Sequence, residues 1–243
     1  MFLVLFSLIF KPMKTCLLLC CALTFLSTGV FAQQKNRVKV KAGEGATTSA
    51  DMYRYPAFQQ GRVFFKNGNT GSSRMNFSLL AGEMHFINPR QDTLALTGLE
   101  HVNYIAIAAD TFYYDALNEE FLEQVASYDH AQLMVSKKYK YSSTLKSAAY
   151  GQYSSTQSSS SLNNIQADGR TVNLSHDQYA LYIKSVKYFM KANGGDLVPV
   201  TKGNFLKVFS NHKNSVQDFI KSNKTDFSKE ADIRALLKFS STL

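Results

Sequence analysis

The chain has 243 residues and a formal net charge of +9, from 27 Lys and Arg against 18 Asp and Glu. Its three cysteines all lie near the N-terminus, which excludes a disulfide framework, a thiol nucleophile and a cysteine metal site from the rest of the chain. The basic charge affects solubility and the steering of anionic partners without identifying one.

Residues 1–32 are predicted to be a secretory signal peptide. Met13 and Lys14 begin it, an apolar stretch too short to span a bilayer follows, and small residues at Val30 and Ala32 precede the expected cleavage site. The upstream dozen residues are apolar but interrupted by Lys11-Pro12, so translation is expected to start at Met13. An uncleaved membrane anchor is the alternative.

The cysteines of this segment also bear on location. Cys20 follows leucines rather than the small residues that precede a lipid-modified cysteine, so a lipoprotein is not expected. An exported chain of this size without disulfides suits a bacterial envelope. The protein is therefore expected to be periplasmic or secreted, with no transmembrane span in the mature chain.

Residues 33–51 are predicted to be a flexible linker. They are polar, rich in small residues and lack aromatic side chains, although residues 37–41 alternate like an edge strand. An antiparallel β domain is predicted to follow over residues 52–200.

The centre of this domain is a predicted meander over residues 61–114. Asn67-Gly68 is a strong hairpin signal, because both central positions of a type I′ turn favour positive φ. Inward-facing positions are odd at Met75 and Phe77 but even at Met84, and a strand cannot change phase without a turn or an inserted residue. We therefore expect a turn or bulge at Gly82.

Later segments give weaker patterns. Residues 102–109 are apolar on both faces and predict the most buried strand, whereas 117–125 fits either a helix or a strand. A serine-rich mobile loop is predicted over 142–164. Residues 193–196 predict a second hairpin turn.

The tail, residues 201–243, predicts helices packed on the sheet, the last with Ser228 as its N-cap. The expected fold is α+β and mainly β: an antiparallel meander, either a curved sheet or a partly open barrel, with a C-terminal helical element.

Three segments together resemble a family of exported, uncharacterised proteins common in Bacteroidota. They are GRVFFKNG at 61–68, MNFSLLAGEMHFI at 75–87 and the tail from NFLKVFSNHK to ADIRALLKF at 204–239. The resemblance implies an envelope or secreted location and supplies no activity or site.

One acid–base or metal hypothesis arises from the histidines, none of which has the spacing of a metal motif. Glu83 and His85 share a strand face, and Glu100-His101 at the start of a later strand could join them. The alternative is a solvated strand face, and no metal or cofactor is expected. Five other carboxylates are expected to decorate an exposed edge and a helix face: Asp110, Asp115, Glu119, Glu120 and Glu123.

A second candidate site combines cations with aromatic rings, an arrangement that can bind an anionic polymer or a glycan. The alternative is an edge strand protected by lysines. The residues are Lys137, Lys138, Tyr139, Lys140 and Tyr141.

These patterns favour a non-catalytic binding or assembly module of the envelope. Its expected partner is an envelope protein, a glycan or an anionic surface polymer, and not nucleic acid. One alternative is an envelope hydrolase with a site near Glu83 and His85, although serine-hydrolase and phosphate-loop motifs are absent from the sequence. A further alternative is an outer-membrane structural protein.

Overall fold

The computed structural model describes residues 36–41, 52–147, 153–154, 163–167, 170–174, 178–192 and 194–243. Residues 38–243 form one unit; of the preceding unit, 1–37, only the last two residues are described. The predicted signal peptide at 1–32 and the second half of the predicted linker lie outside the described residues.

Strands make up most of the described chain. They are β1 Arg37–Lys41, β2 Gln59–Phe65, β3 Thr70–Ser78, β4 Glu83–Ile87, β5 Thr93–Ala95, β6 Val102–Ile107, β7 Asp110–Asp115, β8 Glu120–Tyr128, β9 Ala131–Ser147, β10 Tyr153–Ser154, β11 Asn163–Ala167, β12 Arg170–Leu174, β13 Gln178–Ala192 and β14 Val198–Pro199. Three α-helices follow: α1 Lys202–Val208, α2 Lys213–Ser222 and α3 Glu230–Ser240. Short 3-10 turns cover Leu99–His101 and Ser210–His212.

One antiparallel sheet contains two consecutive meanders, β2 to β5 and β6 to β9. They meet because β6 pairs with β2, which gives the order β1-β13-β9-β8-β7-β6-β2-β3-β4-β5. β10 adds to β9 and β14 to β13, while β11 and β12 pair only with each other. The mainly β fold with a C-terminal helical element is confirmed, and the sheet is open, with β1 and β5 at its edges.

Two turns of the first meander match the sequence signals. Asn67-Gly68 connects β2 to β3 with Gly68 at φ 85°, although Asn67 does not take the positive φ of a type I′ turn. The change of phase falls in the turn between β3 and β4, where Gly82 has φ 73°. Because this turn resets the alternation, Phe77 and Met84 are both buried.

The sheet curls back on itself. The Leu79 backbone carbonyl, just after β3, accepts a hydrogen bond from the Tyr139 amide of β9 at 2.7 Å, although four strands separate β3 from β9 in the sheet. The concave face encloses the main core, in which each fully buried Ile or Phe contributes about 1.5–3 kcal/mol. Its largest members include Met75, Phe77, Met84, Ile105, Ile107, Phe112, Phe121, Tyr139 and Tyr182.

The C-terminal helices form a second core with the ends of two strands. Leu133 of β9 and Met190 of β13 pack with Phe205, Ile233 and Leu236 from the helices. The Thr201 hydroxyl caps α1 by accepting a hydrogen bond from the Asn204 amide at 3.1 Å.

Three sequence expectations are corrected. Residues 37–41 are strand β1 rather than linker, since Val40 is buried and the strand pairs with β13. Residues 142–147 belong to strand β9 rather than to a loop, and the predicted loop range also contains β10 and the start of β11. The choice between helix and strand that the sequence left open over 117–125 falls to a strand, since residues 120–128 form β8. The N-cap of α3 is Lys229, because the Ser228 hydroxyl donates instead to Asp226.

Candidate functional site

Glu83 and His85 are hydrogen-bonded to each other and to a residue that the sequence did not indicate. His85 Nε2 lies 3.1 Å from Glu83 Oε2, and His85 Nδ1 lies 3.1 Å from the Tyr53 hydroxyl. The two β4 residues share a face because side chains alternate along a strand. Tyr53 reaches them because it forms a β-bridge with Ser78 at the end of β3.

This arrangement uses both nitrogens of the imidazole. Burial and the negative charge of Glu83 raise the pKa of Tyr53, so its hydroxyl remains protonated and can donate to His85 Nδ1 in the tautomer that carries its proton on Nε2. Nε2–H then donates to Glu83. Since neither nitrogen is left for a substrate, the contacts favour a positioning role for His85 over a general base.

His101 does not join this group. It lies in the 3-10 turn before β6, where its Nε2 is 3.3 Å from Glu100. His85 is level with Asn76 of β3, whereas the end of β6 near His101 is level with Thr70, and six residues of strand span about 20 Å. Within the described ranges, no three His, Cys, Asp or Glu side chains are arranged to hold a metal ion.

The lysine–tyrosine segment 137–141 lies in β9, where it pairs with β13, whereas the pairing of β9 with β8 covers residues 131–135. Tyr139 is only 3 % exposed and belongs to the core, and Lys137 Nζ lies 3.3 Å from Glu123. Alternation puts Lys138 and Lys140 on the opposite face from Tyr139. The cations and rings therefore do not form one continuous binding surface.

A polar network fills the concave face between the two cores. Arg54 donates from Nε to Glu123 Oε2 at 3.0 Å and from Nη2 to Glu123 Oε1 at 2.8 Å. Nη2 is also 3.2 Å from Asp110 Oδ2, which accepts a hydrogen bond from the Tyr55 hydroxyl at 2.7 Å. Arg54, Tyr55 and Asp110 thereby fix the segment before β2 against β7 and β8.

The contacts within this network shift the pKa values of its members. The hydrogen bond from Arg54 to Glu123 raises the pKa of the guanidinium. Burial alone would raise the pKa of Glu123, but Arg54 and Lys137 outweigh burial and lower it. Burial and Asp110 raise the pKa of Tyr55 well above its ordinary value.

The expectation that the acidic residues of 110–123 decorate an exposed surface is wrong for Glu120 and Glu123. Glu123 and Glu120 are both buried, and the Glu120 side chain accepts a hydrogen bond from the Ser136 hydroxyl at 2.8 Å. The local sequence could not reveal this burial, because Arg54 and Ser136 come from other parts of the chain.

A groove of about 450 Å³ opens at the end of the sheet near the β2–β3 turn. Its apolar lining comes from β2, β3, β4 and the chain after β5: Val63, Phe65, Met75, Phe86 and Leu96. Gly71 leaves space in it, since a Cβ there would lie 3.8 Å from the nearest atom, Phe65 Cε2. Polar residues at the groove include Ser73, Asn88 and Arg74, whose Nη2 donates to Gln91 Oε1 at 2.7 Å.

A second cavity, of about 300 Å³, lies where the β8–β9 turn meets the end of β13. Asp129, His130 and Lys191 are among its lining residues. Neither cavity includes Tyr53, Glu83 or His85 in its lining.

The described helices include none with the length and hydropathy needed to cross a membrane. Comparison with protein-family models, curated proteins and solved structures finds no match to this chain.

Proposed function

We propose that the protein is an exported, non-catalytic binding module of a bacterial envelope, and that the groove near the β2–β3 turn is its binding surface. The observation that carries this proposal is the open apolar groove itself, with Gly71 keeping it free of a side chain. Concave, mostly apolar sites with a few polar groups at their margin are the usual form of binding pockets.

The chemistry of the groove favours an apolar group of a protein over a glycan or an anionic polymer. Phe65, Phe86 and Leu96 offer apolar contact, and Arg74 is the one charged residue in the lining. The alternative surface at 137–141 is divided between two faces of β9, with Tyr139 in the core.

The test is binding of a defined apolar probe, 1-anilinonaphthalene-8-sulfonate, followed by its fluorescence. Gly71→Leu fills the groove without a predicted backbone clash, so it is expected to weaken probe binding at least tenfold. Gly203→Leu is the matched control, because a Cβ at Gly203 meets no atom within 4 Å and the residue lies in α1, outside the groove. Equal probe binding by all three proteins would overturn the proposal.

A second candidate is hydrolysis at the Tyr53–His85–Glu83 group, in which His85 would position Tyr53 and Glu83 through its two 3.1 Å contacts. It predicts turnover of p-nitrophenyl acetate that His85→Asn abolishes and Gly71→Leu leaves unchanged. Turnover that survives His85→Asn would exclude this candidate.

A further inference from the structure

The β7–β8 turn holds one fully exposed leucine in a fixed position. Leu117 is 94 % exposed at the tip of this turn. Asp115 Oδ1 accepts hydrogen bonds from the Leu117 and Asn118 amides at 3.0 and 3.4 Å, and Asp115 Oδ2 accepts one from Asn118 Nδ2 at 2.7 Å. These hydrogen bonds hold the backbone of the turn in one conformation. Leu117 is therefore preorganised for contact, because the turn has little conformational freedom left to lose on binding.

The turn is acidic. Asp115 and Glu119 flank Leu117, and neither carboxylate forms a salt bridge within the part of the chain that is described. Burial and the charges of Glu119 and Asp115 raise the pKa of the neighbouring Tyr114, consistent with a negative local potential. A partner for Leu117 therefore needs an apolar pocket with cations beside it.

The groove of this same chain has that chemistry. Its lining is apolar, Arg74 is part of it, and the exposed Arg90 lies between two lining residues, Pro89 and Gln91. Asp92 is also nearby, but its carboxylate accepts a hydrogen bond from Asn88 at 3.0 Å. The two arginines complement the signs of Asp115 and Glu119.

The turn and the groove lie at the same end of the sheet. Ile105 pairs with Phe112, and Phe64 pairs with both Tyr104 and Thr70, so the β7–β8 and β2–β3 turns extend in the same direction. Three strand spacings separate β7 from β3, which is about 14 Å along the sheet. Two copies facing each other end to end can therefore make the same contact twice about a two-fold axis.

We propose that two copies of this chain form a symmetric dimer in which Leu117 of each copy enters the groove of the other. The proposal rests on the proposed function, because it takes the groove as the binding surface and names a second copy as its occupant. Reciprocal contacts close the assembly, whereas a single contact in one direction would extend it into a filament.

The test is sedimentation equilibrium of the protein recovered from cells that express the full chain. Leu117→Ser removes the inserted side chain, and Gly71→Leu fills its site; each is expected to raise the dimer dissociation constant at least tenfold. Leu243→Ser and Gly203→Leu are matched controls at an exposed leucine and at an unhindered glycine away from both surfaces, and are expected to leave the dissociation constant unchanged.

Exchanging the charges of Arg74 and Glu119 tests how the turn of one copy is oriented in the groove of the other. Arg74→Glu and Glu119→Lys alone are each expected to weaken the dimer, and the double variant is expected to recover most of the affinity. An equal mixture of Leu117→Ser and Gly71→Leu chains retains one intact contact, so it is expected to form heterodimers more tightly than either variant self-associates.

The outcomes separate this proposal from the proposed function. A monomer at all concentrations whose probe binding still depends on Gly71 would overturn the dimer and leave the groove as a binding site. If Gly71→Leu keeps both its self-association and its probe binding, the dimer and the groove as a binding surface are both overturned. Rings or filaments in place of a dimer would overturn the two-fold arrangement.

Discussion

Arg54 and Glu123 form a two-point ion pair, with Nε 3.0 Å from Oε2 and Nη2 2.8 Å from Oε1. Arg54 precedes β2 and Glu123 lies in β8, so the pair joins segments 69 residues apart in the chain. The Glu123 side chain is 8 % exposed and that of Arg54 30 %. Because the carboxylate is buried, its charge depends on this partner.

Removing Arg54 should therefore destabilise the fold. Arg54→Leu is expected to lower the free energy of unfolding by about 3 kcal/mol, the size expected when one partner of a buried pair is lost. Urea denaturation measures this. The control, Arg234→Leu, breaks a helix-surface pair with Glu230 and is expected to cost under about 1 kcal/mol. Similar losses in both variants would contradict a special role for Arg54.

Acid should weaken the protein through the same pair. The pKa of Glu123 is lowered on folding, so its contribution is present above its ordinary value of 4.5 and is lost as pH falls through the lower folded value. The stability difference between the wild type and Glu123→Gln should therefore shrink as pH falls below about 4.5. Chemical denaturation at a series of pH values measures it, and a difference independent of pH would count against the assignment.

High pH should destabilise the fold through Tyr55. Its pKa is raised on folding above the ordinary 10.0, so its contribution is present below pH 10 and is lost as pH rises beyond it, since the unfolded chain loses the proton first. At pH 8, Tyr55→Phe is expected to cost about 1.5–3 kcal/mol for the lost bond to a carboxylate. At pH 11 the variant and the wild type should be closer in stability. An undiminished difference would refute this role.

Gly61 should tolerate no side chain. A Cβ there would lie 2.8 Å from both Cγ and Sδ of Met75, so this buried side chain would have to shift. Gly61→Ala is expected to cost about 1–3 kcal/mol through overpacking, measured by thermal or urea unfolding. The smaller Met75→Val should recover part of the loss in the double variant. Gly71→Ala, with its nearest contact at 3.8 Å, should be almost neutral.

The secretory prediction has its own test. Mass spectrometry of protein recovered from the envelope is expected to find Gln33 at the mature N-terminus, after cleavage at Ala32. An intact segment ahead of Gln33 would favour the uncleaved anchor. Recovery only in detergent would favour the outer-membrane alternative.

Local signals predicted the local structure well. Asn67-Gly68 forms a hairpin turn in which only Gly68 takes the positive φ expected at both positions, and Gly82 marks the change of phase with a positive φ of its own. The sequence left 117–125 open between helix and strand because the spacing of its apolar residues, Leu117, Phe121, Leu122 and Val125, also fits a helix face.

Long-range contacts could not be predicted in this way. No residue near Glu123 in the sequence indicates that Arg54 is its hydrogen-bond partner. In the same way, no residue near His85 indicates its contact with Tyr53, 32 residues away. The order of the sheet depends on β6 joining β2 rather than β5, a choice of strand pairing that one sequence leaves open. The exposure of Leu117 likewise followed only once the β7–β8 turn was known.

The pairing of β1 with β13 has a consequence for how the chain folds. These strands are adjacent in the sheet but about 140 residues apart in sequence, and such distant pairings form slowly because a large loop must close first. A chain that leaves an export channel from its N-terminus must hold β1 unpaired until β13 has emerged. Under the proposed export, completion of the sheet would therefore fall at the end of translocation, and the unpaired β1 is the segment that a chaperone would need to protect until then.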